Sequence, residues 1–370
     1  MRPLLAALLL LTVASHARAD ADHAAIARIS LTEVIRPAYS TLAETARALK
    51  GKVEALCREP STGALRDARG AFADAVGAWS KAEIFRFGPV NDEHRYERLF
   101  FWPDPKGLGL RQIRNALAEA DQDVLEPNEL AGKSVALQGL PALEYLLFGD
   151  GAEAIAEVTN PAPGGPPLPA IPDAAAFRCG FTLAIATNVE RITNAIVEDW
   201  RDGAAYTKSF LGPAPNDPRY HEPKEVTLEL FKTLTSGIEL VRDQKLGKPL
   251  GATAEQAKPK LAAFWRSGLT FHNAAGNLEG VRALFAQGGF AGVVASESAG
   301  VEKSILFDFD HAIEVLRGID LPMAEIAASE DLRAKIEALR VALKSARDTA
   351  GDMISRGAGL SFGFNAMDGD

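Results

Sequence analysis

A carboxylate in an apolar segment is the first candidate for chemistry in this sequence. The segment covers residues 137–149, reads Leu-Gln-Gly-Leu-Pro-Ala-Leu-Glu-Tyr-Leu-Leu-Phe-Gly, and is apolar enough for a buried helix. Glu144 lies within it, and a buried glutamate is costly unless it is paired, protonated or bound to a metal. Two interpretations remain open: Glu144 forms an ion pair with an arginine that fixes helix packing, or it lines a pocket.

A proline three residues before Glu144 affects the same segment. Inside a helix, Pro141 would clash with the carbonyl group four residues back and free that group from its hydrogen bond. The sequence therefore predicts a freed Leu137 carbonyl on a helix face related to that of Glu144.

A second carboxylate lies in residues 78–90, which read Ala-Trp-Ser-Lys-Ala-Glu-Ile-Phe-Arg-Phe-Gly-Pro-Val. Glu83 is four residues after Trp79 and three before Arg86, so the three side chains are predicted to share one helix face. The Gly-Pro pair that follows is predicted to end this helix. Glu83 and Arg86 then form either an intrahelical ion pair or half of an acidic site.

Two histidines have a glutamate three residues later: His311 with Glu314, and His94 with Glu97. A histidine and a glutamate at this spacing share a helix face, which suits metal ligation. The pattern is short enough to arise by chance, so each pair is only a weak indication of a metal site. The sequence contains no His-Glu-x-x-His helix, Gly-x-Ser-x-Gly elbow or Gly-x-x-x-x-Gly-Lys-Ser/Thr loop.

The elements that must position these residues are predicted to be helices. Alternating strand patterns are scarce, and apolar residues recur at spacings of three and four over residues 177–200, 226–246 and 332–354. Another such helix follows a Ser61-Thr62 start that resembles an N-cap. The predicted fold class is all-α. The apolar face of the predicted helix after Ser61-Thr62 comprises Leu65, Ala68, Phe72, Val76 and Trp79.

Residues 159–172 divide the chain into two predicted helical bundles. Six prolines and two glycines in this stretch forbid a helix and are typical of a linker. The predicted bundles cover residues 20–158 and 173–370. Similar motifs in similar order favour an ancient duplication. Among the matching pairs are Phe101-Trp102 with Phe264-Trp265, and the segment from Pro141 to Glu144 with that from His311 to Glu314.

The N-terminus predicts export. Arg2 gives a basic start, residues 4–13 form an apolar run too short to span a bilayer, and Ala17-Arg18-Ala19 predicts cleavage after Ala19. Residues 1–19 are therefore interpreted as a signal peptide, with an uncleaved anchor as the alternative. The mature chain is expected in the periplasm, and association with the outer membrane is left open.

Charge and cysteine content narrow the function classes. The formal net charge is −9 at pH 7, and no cluster of Lys and Arg is present, so neither nucleic acid nor anionic lipid is an expected partner. No later segment has eighteen consecutive apolar residues, so no membrane span is predicted. In an oxidising compartment Cys57 and Cys179 are expected to form a disulfide, with two buried thiols as the alternative.

These motifs together resemble the imelysin-like family of bacterial periplasmic and outer-membrane proteins. The resemblance rests on Trp79, on Glu-x-x-Arg-Phe-Gly-Pro from Glu83, on the Phe-Trp-Pro-Asp turn at 101–104, and on residues 138–149. In the second part of the chain, residues 229–237 and 264–268 also fit. The resemblance implies two packed helical bundles, a peptidase name, and a relationship to periplasmic components of iron uptake.

The family signature Gly-x-His-x-x-Glu, whose His and Glu are proposed metal ligands, is altered here. Gly139 and Glu144 match it, but Pro141 replaces the histidine and has no lone pair to offer a metal. A His/Glu metal site cannot form there unaided. The version Gly-Leu-Pro-Ala-Leu-Glu is similar to that of a periplasmic branch of the family.

The leading hypothesis is a non-catalytic periplasmic binding protein for acquisition or handling of metal, with iron as the first candidate. Paired carboxylates suit a hard cation, whether divalent or ferric. If Arg86 and Arg266 point inward, an anionic small ligand or a chelated metal fits instead. The alternative for Arg266, an exposed position at a helix end, remains equally open. The predicted cleft between the bundles is lined by Glu83, Arg86, Glu144, Tyr145 and Arg266.

Within that hypothesis Glu83 and Glu144 are the first metal ligands, and His311 with Glu314 a weaker set. A periplasmic or outer-membrane protein partner is a further expectation. One alternative is a metallopeptidase, which needs Glu144 as general base and a metal with at least three ligands. Another is a helical scaffold or partner-binding protein in which Glu83 and Glu144 are buried in ion pairs.

Overall fold

The computed structural model describes residues 21–157 and 174–360. The predicted signal peptide at 1–19 and the Pro-rich stretch at 159–172 lie outside the described residues. Within them every regular element is helical, with no strand, which confirms the all-α prediction. None of the described helices is long and apolar enough to cross a membrane.

The α-helices of the described residues are numbered in chain order. They are α1 (His23–Ile29), α2 (Arg36–Arg58), α3 (Thr62–Ala82), α4 (Arg95–Leu99), α5 (Leu108–Glu119), α6 (Pro127–Gly132), α7 (Gly139–Phe148), α8 (Ala174–Asp199), α9 (Ala205–Leu211), α10 (Pro223–Glu239), α11 (Lys248–Leu250), α12 (Thr270–Gln287), α13 (Phe290–Glu297), α14 (Val301–Arg317), α15 (Met323–Ala328) and α16 (Glu330–Gly357).

Shorter helical segments connect these helices. Two are π-helical, Ser30–Ile35 and Leu240–Gly247. The 3₁₀ segments are Gly88–Val90, Asp92–His94, Gln122–Leu125, Val135–Leu137, Ala152–Glu157 and Pro259–Leu261.

Helices α2, α3 and α8 form the centre of the N-terminal part. The Ser61 side chain accepts a hydrogen bond from the Ala64 amide at 3.1 Å, so the predicted cap at the start of α3 is confirmed. A disulfide joins Cys57 of α2 to Cys179 of α8, with a Cα–Cα distance of 5.6 Å, which confirms the predicted pairing. Helix α7 packs against both α8 and α3.

The C-terminal part is built around α12, which packs against α10 and α14, while α16 packs against α13 and α14. Contact between α3 and α12 joins the two parts, and a single hydrophobic core runs from Ile26 to Leu360. The division into bundles at residues 159–172 stays a prediction; α8 follows that stretch and packs against α2.

Candidate functional site

A cavity of about 280 Å³ lies between α7 and the segment that joins α11 to α12. We call it the polar cavity, because its walls carry two carboxylates, an arginine and a lysine as well as aromatic rings. The charged side chains are Asp104, Glu144, Lys260 and Arg266, and the large aromatic ones are Phe100, Phe101, Trp102, Tyr145, Phe264 and Trp265.

Helix α7 carries Glu144 and begins later than the sequence suggested. It starts at Gly139, where φ is +77° and a Cβ would lie 2.3 Å from the Leu99 carbonyl oxygen, so only glycine fits there. Pro141 is thus in the first turn, where a backbone N–H has no intrahelical partner. Leu137 belongs to the separate 3₁₀ turn Val135–Leu137. The expectation that Pro141 frees the Leu137 carbonyl within one helix was wrong.

Glu144 holds a turn of the opposite wall through one of its oxygens. Its Oε1 accepts hydrogen bonds from the backbone amides of Arg266 and Ser267 and from the Ser267 hydroxyl, each at 2.9 Å. Phe264 lies in the left-handed region, at φ +54°, and this turn directs the two successive amides toward the carboxylate. Two interpretations of Glu144 were open, an ion pair with an arginine or the lining of a pocket. In the structure Glu144 is one of the residues that line the cavity.

Burial governs the protonation of Glu144, which is 3% exposed. Removal from water raises the pKa of the Glu144 carboxyl, while the hydrogen bonds from Ser267 and the nearby Arg266 guanidinium oppose the rise. A carboxyl whose pKa is higher in the folded than in the unfolded chain stabilises the fold below its unfolded pKa. That stability is lost as the pH rises through the folded pKa.

We therefore expect Glu144→Gln to become more stable relative to wild type as the pH rises. The amide keeps an oxygen for Ser267 but carries no charge, so it has no ionised form to desolvate. Thermal unfolding of both proteins between pH 4.5 and pH 7.5 measures this, and the variant's Tm minus that of wild type should increase across the range. A constant difference would show that the surroundings do not disfavour the ionised carboxyl.

Two further side chains stand beside Glu144: Tyr145 on the same helix, and Arg266 on the turn of the opposite wall. The Arg266 guanidinium carbon lies 4.3 Å from the centre of the Trp265 ring and 5.4 Å from that of Tyr145. Arg114 Nε donates to the Tyr145 hydroxyl oxygen at 3.2 Å, which fixes the ring from outside. Three predicted site residues, Glu144, Tyr145 and Arg266, therefore line one cavity.

Glu83 lies elsewhere, in a buried polar network between α3 and α12. Its Oε2 accepts from Lys245 Nζ at 2.7 Å and from Asn277 Nδ2 at 3.0 Å. Asn273 Oδ1 accepts from the same ammonium at 2.6 Å. The two side chains of the ion pair, Lys245 and Glu83, are 1% and 0% exposed. Glu83 is thus half of a closed ion pair and does not line the polar cavity.

Lys245 is the main residue that the sequence analysis missed. It sits in the π-helical segment Leu240–Gly247, and its Nζ lies 4.8 Å from the centres of both the Phe100 and Trp102 rings. Burial lowers the pKa of the Lys245 amine to about 8, although Glu83 acts in the opposite direction. Neither pattern nor spacing marked this lysine, because the π-turn changes which face of the helix it occupies.

Arg86 is separated from Glu83 by the end of α3. The helix ends at Ala82, so Trp79, Glu83 and Arg86 do not share one helix face, and that expectation was wrong. The Arg86 guanidinium donates to the Tyr96 hydroxyl and lies 4.3 Å from the centre of that ring. Arg86 lines a second cavity of about 280 Å³, which has Trp102 in common with the polar cavity.

The histidine pairs of the sequence analysis lie on the protein surface. His311 and Glu314 are exposed on α14, where the His311 ring stacks on Phe307, and His94 and Glu97 are exposed near α4. In residues 21–157 and 174–360, no group of three or more His, Cys, Asp and Glu side chains could hold a metal ion. The structure therefore gives neither pair the further ligand that a metal site would need.

Comparison with known proteins gave matches of two kinds. The imelysin family model, which carries a peptidase name, matches residues 35–350. An imelysin-like protein from Psychrobacter arcticum 273-4 superimposes with a TM-score of 0.73 at 16% identity, covering 92% of this chain and 97% of that one. A protein from Parabacteroides distasonis ATCC 8503, named as an iron-regulated protein A precursor, gives 0.70 at 14% identity, covering 90% and 95%. No curated protein matches.

Proposed function

Because this chain belongs to the imelysin family, we propose that it is a non-catalytic periplasmic binding protein that takes a small organic anion or an anionic iron chelate into the polar cavity. The observation that carries the proposal is Arg266, which lines the cavity and whose guanidinium lies near the Trp265 and Tyr145 rings of its wall. A planar guanidinium binds carboxylate groups through paired hydrogen bonds, and aromatic walls bind the rest of an organic ligand.

A bare metal ion fits this cavity less well. Glu144 Oε1 already accepts three hydrogen bonds, and the Asp104 oxygens accept from the Leu108 and Gly109 amides at 2.8 Å each. A metal held by protein ligands alone needs at least three of them, and the described residues supply no such group. A chelate brings its own ligands and needs only complementary charge. Chelated metal therefore fits the polar cavity better than the carboxylate metal site that the sequence favoured.

The link to iron and to the periplasm has separate support. One structural neighbour is named as an iron-regulated protein A precursor. The disulfide between Cys57 and Cys179 fits an exported chain, because the cytosol keeps thiols reduced. We place the protein in the periplasm, where a binding protein hands its ligand to a periplasmic or outer-membrane partner.

The peptidase alternative finds less support in the geometry. Glu144 would serve as general base, yet Pro141 offers no metal ligand, and no set of three ligands lies in the part of the chain that the structure describes. The scaffold alternative is favoured at Glu83 alone, where the closed pair with Lys245 accounts for the buried charge. A cavity lined by Arg266, Glu144 and aromatic rings favours binding over a purely structural role.

Calorimetric titration of the metal-stripped mature protein tests the proposal. Ferric citrate and citrate are the anionic probes, and ferrous and zinc ions are the bare-metal probes. Wild type should bind an anionic probe at one site, and Arg266→Gln should weaken that binding on the order of 10- to 100-fold, since a hydrogen bond to a charged group is worth about 1.5–3 kcal/mol. The hydrogen bond from the backbone amide of residue 266 to Glu144 remains in this variant.

Arg201→Gln is the matched control, because Arg201 is an exposed arginine whose side chain is 70% accessible. It should bind like wild type. Tight one-site binding of ferrous or zinc ion that is lost in Glu144→Gln but kept in Arg266→Gln would replace the chelate proposal by a carboxylate metal site. Equal loss in both arginine variants would show a general charge effect and would contradict the assigned cavity.

A further inference from the structure

We propose that the ligand is an anionic amphiphile, whose charged head lies against Arg266 and whose apolar arm lies in a separate groove on the other side of Trp265. This inference rests on the proposed function, because the head group occupies the polar cavity. It specifies the ligand class: a carboxylate-bearing molecule, including a chelator, with a linear or aromatic apolar extension.

The groove is an apolar cavity of about 450 Å³, which we call the apolar groove. It lies between the 3₁₀ turn Pro259–Leu261 and the start of α15. Its walls are almost free of polar atoms apart from the ends of two lysines. The apolar wall residues are Pro259, Leu261, Trp265, Pro322, Met323 and Ala324.

The apolar groove and the polar cavity have a common wall. Lys260, Leu261 and Trp265 line both, so one short stretch of chain separates or joins the two spaces. This stretch is fixed from the polar side, since Trp102 Nε1 donates to the Leu261 carbonyl oxygen at 3.0 Å. A ligand whose head reaches Arg266 is therefore one side chain away from the groove.

Charge around this wall selects an anionic ligand. Lys260 Nζ lies 5.6 Å from the centre of the Trp265 ring and Arg266 lies 4.3 Å from it, so the shared indole ring has two cations on it. Lys258 adds a third cation at the groove. Both carboxylates of the polar cavity already accept hydrogen bonds, Glu144 from Ser267 and Asp104 from the backbone amides of residues 108 and 109. A negative head group is attracted here, and a positive one is repelled.

Size also favours one ligand across both spaces. Small-molecule sites usually enclose roughly 300–1,000 Å³. The polar cavity, at about 280 Å³, is just below this range, whereas the polar cavity and the groove of about 450 Å³ together fall well inside it. A free apolar groove also costs hydration free energy that an apolar arm would remove.

A series of straight-chain carboxylates from butyrate to decanoate, below their micelle concentrations, tests this inference by calorimetry. Each methylene buried in the groove should tighten binding about fourfold, until the chain fills the space. Ala324→Phe fills the groove from an exposed position on α15 and should abolish this dependence on chain length. Arg266→Gln should weaken every member of the series to a similar extent and keep the dependence.

Ala338→Phe, which adds the same ring at an exposed position of α16, is the control and should keep the full dependence. Affinity that does not change with chain length, together with sensitivity to Arg266→Gln, would overturn the amphiphile inference and leave the proposed function standing. A different result is affinity that rises with chain length but is the same in wild type and in Arg266→Gln for every member of the series. It would show that the apolar site binds the chain without a contact between the anionic head and Arg266. Such a result would overturn the spanning ligand and the proposed function together.

Discussion

The double variant Cys57→Ser/Cys179→Ser should lose about 4–5 kcal/mol of unfolding free energy relative to the oxidised wild type, by the chain-entropy argument for a closed loop of this size. The bond closes a loop with a sequence separation of 122 residues, and opening it lets the unfolded chain explore many more conformations. Cys57 lies near the end of α2 and Cys179 near the start of α8, so the bond also fixes how these neighbouring helices align.

Urea unfolding followed by circular dichroism and by tryptophan fluorescence measures this loss. Wild type unfolded in a reducing agent serves as the control and should show a similar loss, because it also lacks the cross-link. A loss below about 1 kcal/mol would show that packing of α8 against α2 already restricts the unfolded chain, contrary to the entropic argument.

Local signals in the sequence were enough to predict much of the helical structure. The Ser61 cap, the apolar spacing through Trp79 and the long periodic stretches all describe contacts within a few residues, and α3, α8 and α16 follow them. The cysteine pair was predictable from chemistry rather than from distance, because a chain with two cysteines that is expected to be exported has one possible intramolecular disulfide.

The candidate site was predictable only in part. Glu144 and Tyr145 are neighbours in the sequence, and their apolar surroundings indicated burial; Arg266 was reached through the Trp-Arg-Ser cluster that follows Phe264. The Ser267 contacts to Glu144 span more than 120 residues and left no local pattern. Which partner a buried carboxylate finds depends on how distant helices pack, and spacing along the chain does not encode that.

Pro141 shows how a correct local rule gives a wrong structure. The rule that an internal proline frees a carbonyl is sound, but it was applied to a helix assumed to include Leu137. Gly139, at φ +77° against the Leu99 carbonyl, starts the helix later and places the proline in its first turn. Pro141 therefore interrupts no intrahelical hydrogen bond of α7.

Lys245→Met should lower the unfolding free energy by about 3–5 kcal/mol, the usual cost of removing one partner of a buried ion pair. Methionine fills similar space between Phe100 and Trp102 but leaves the Glu83 carboxylate without its cation in a site where that carboxylate is 0% exposed. Asn277 still donates to Glu83, so the loss should fall within this range rather than above it. Urea unfolding at pH 7 measures it.

The double variant Glu83→Gln/Lys245→Met separates an unpaired charge from lost packing. It should be more stable than Lys245→Met alone, because it removes the unpaired carboxylate together with its partner.

The pH dependence of stability gives a second test of the Lys245 site. The Lys245 pKa is about 8 in the fold and about 10.4 in the unfolded chain, so the unfolded chain binds more protons between these values. The unfolding free energy of wild type minus that of Lys245→Met should therefore rise from pH 8 to pH 10. If the effects of the two substitutions are strictly additive and this difference does not change with pH, burial does not disfavour the charged form of Lys245.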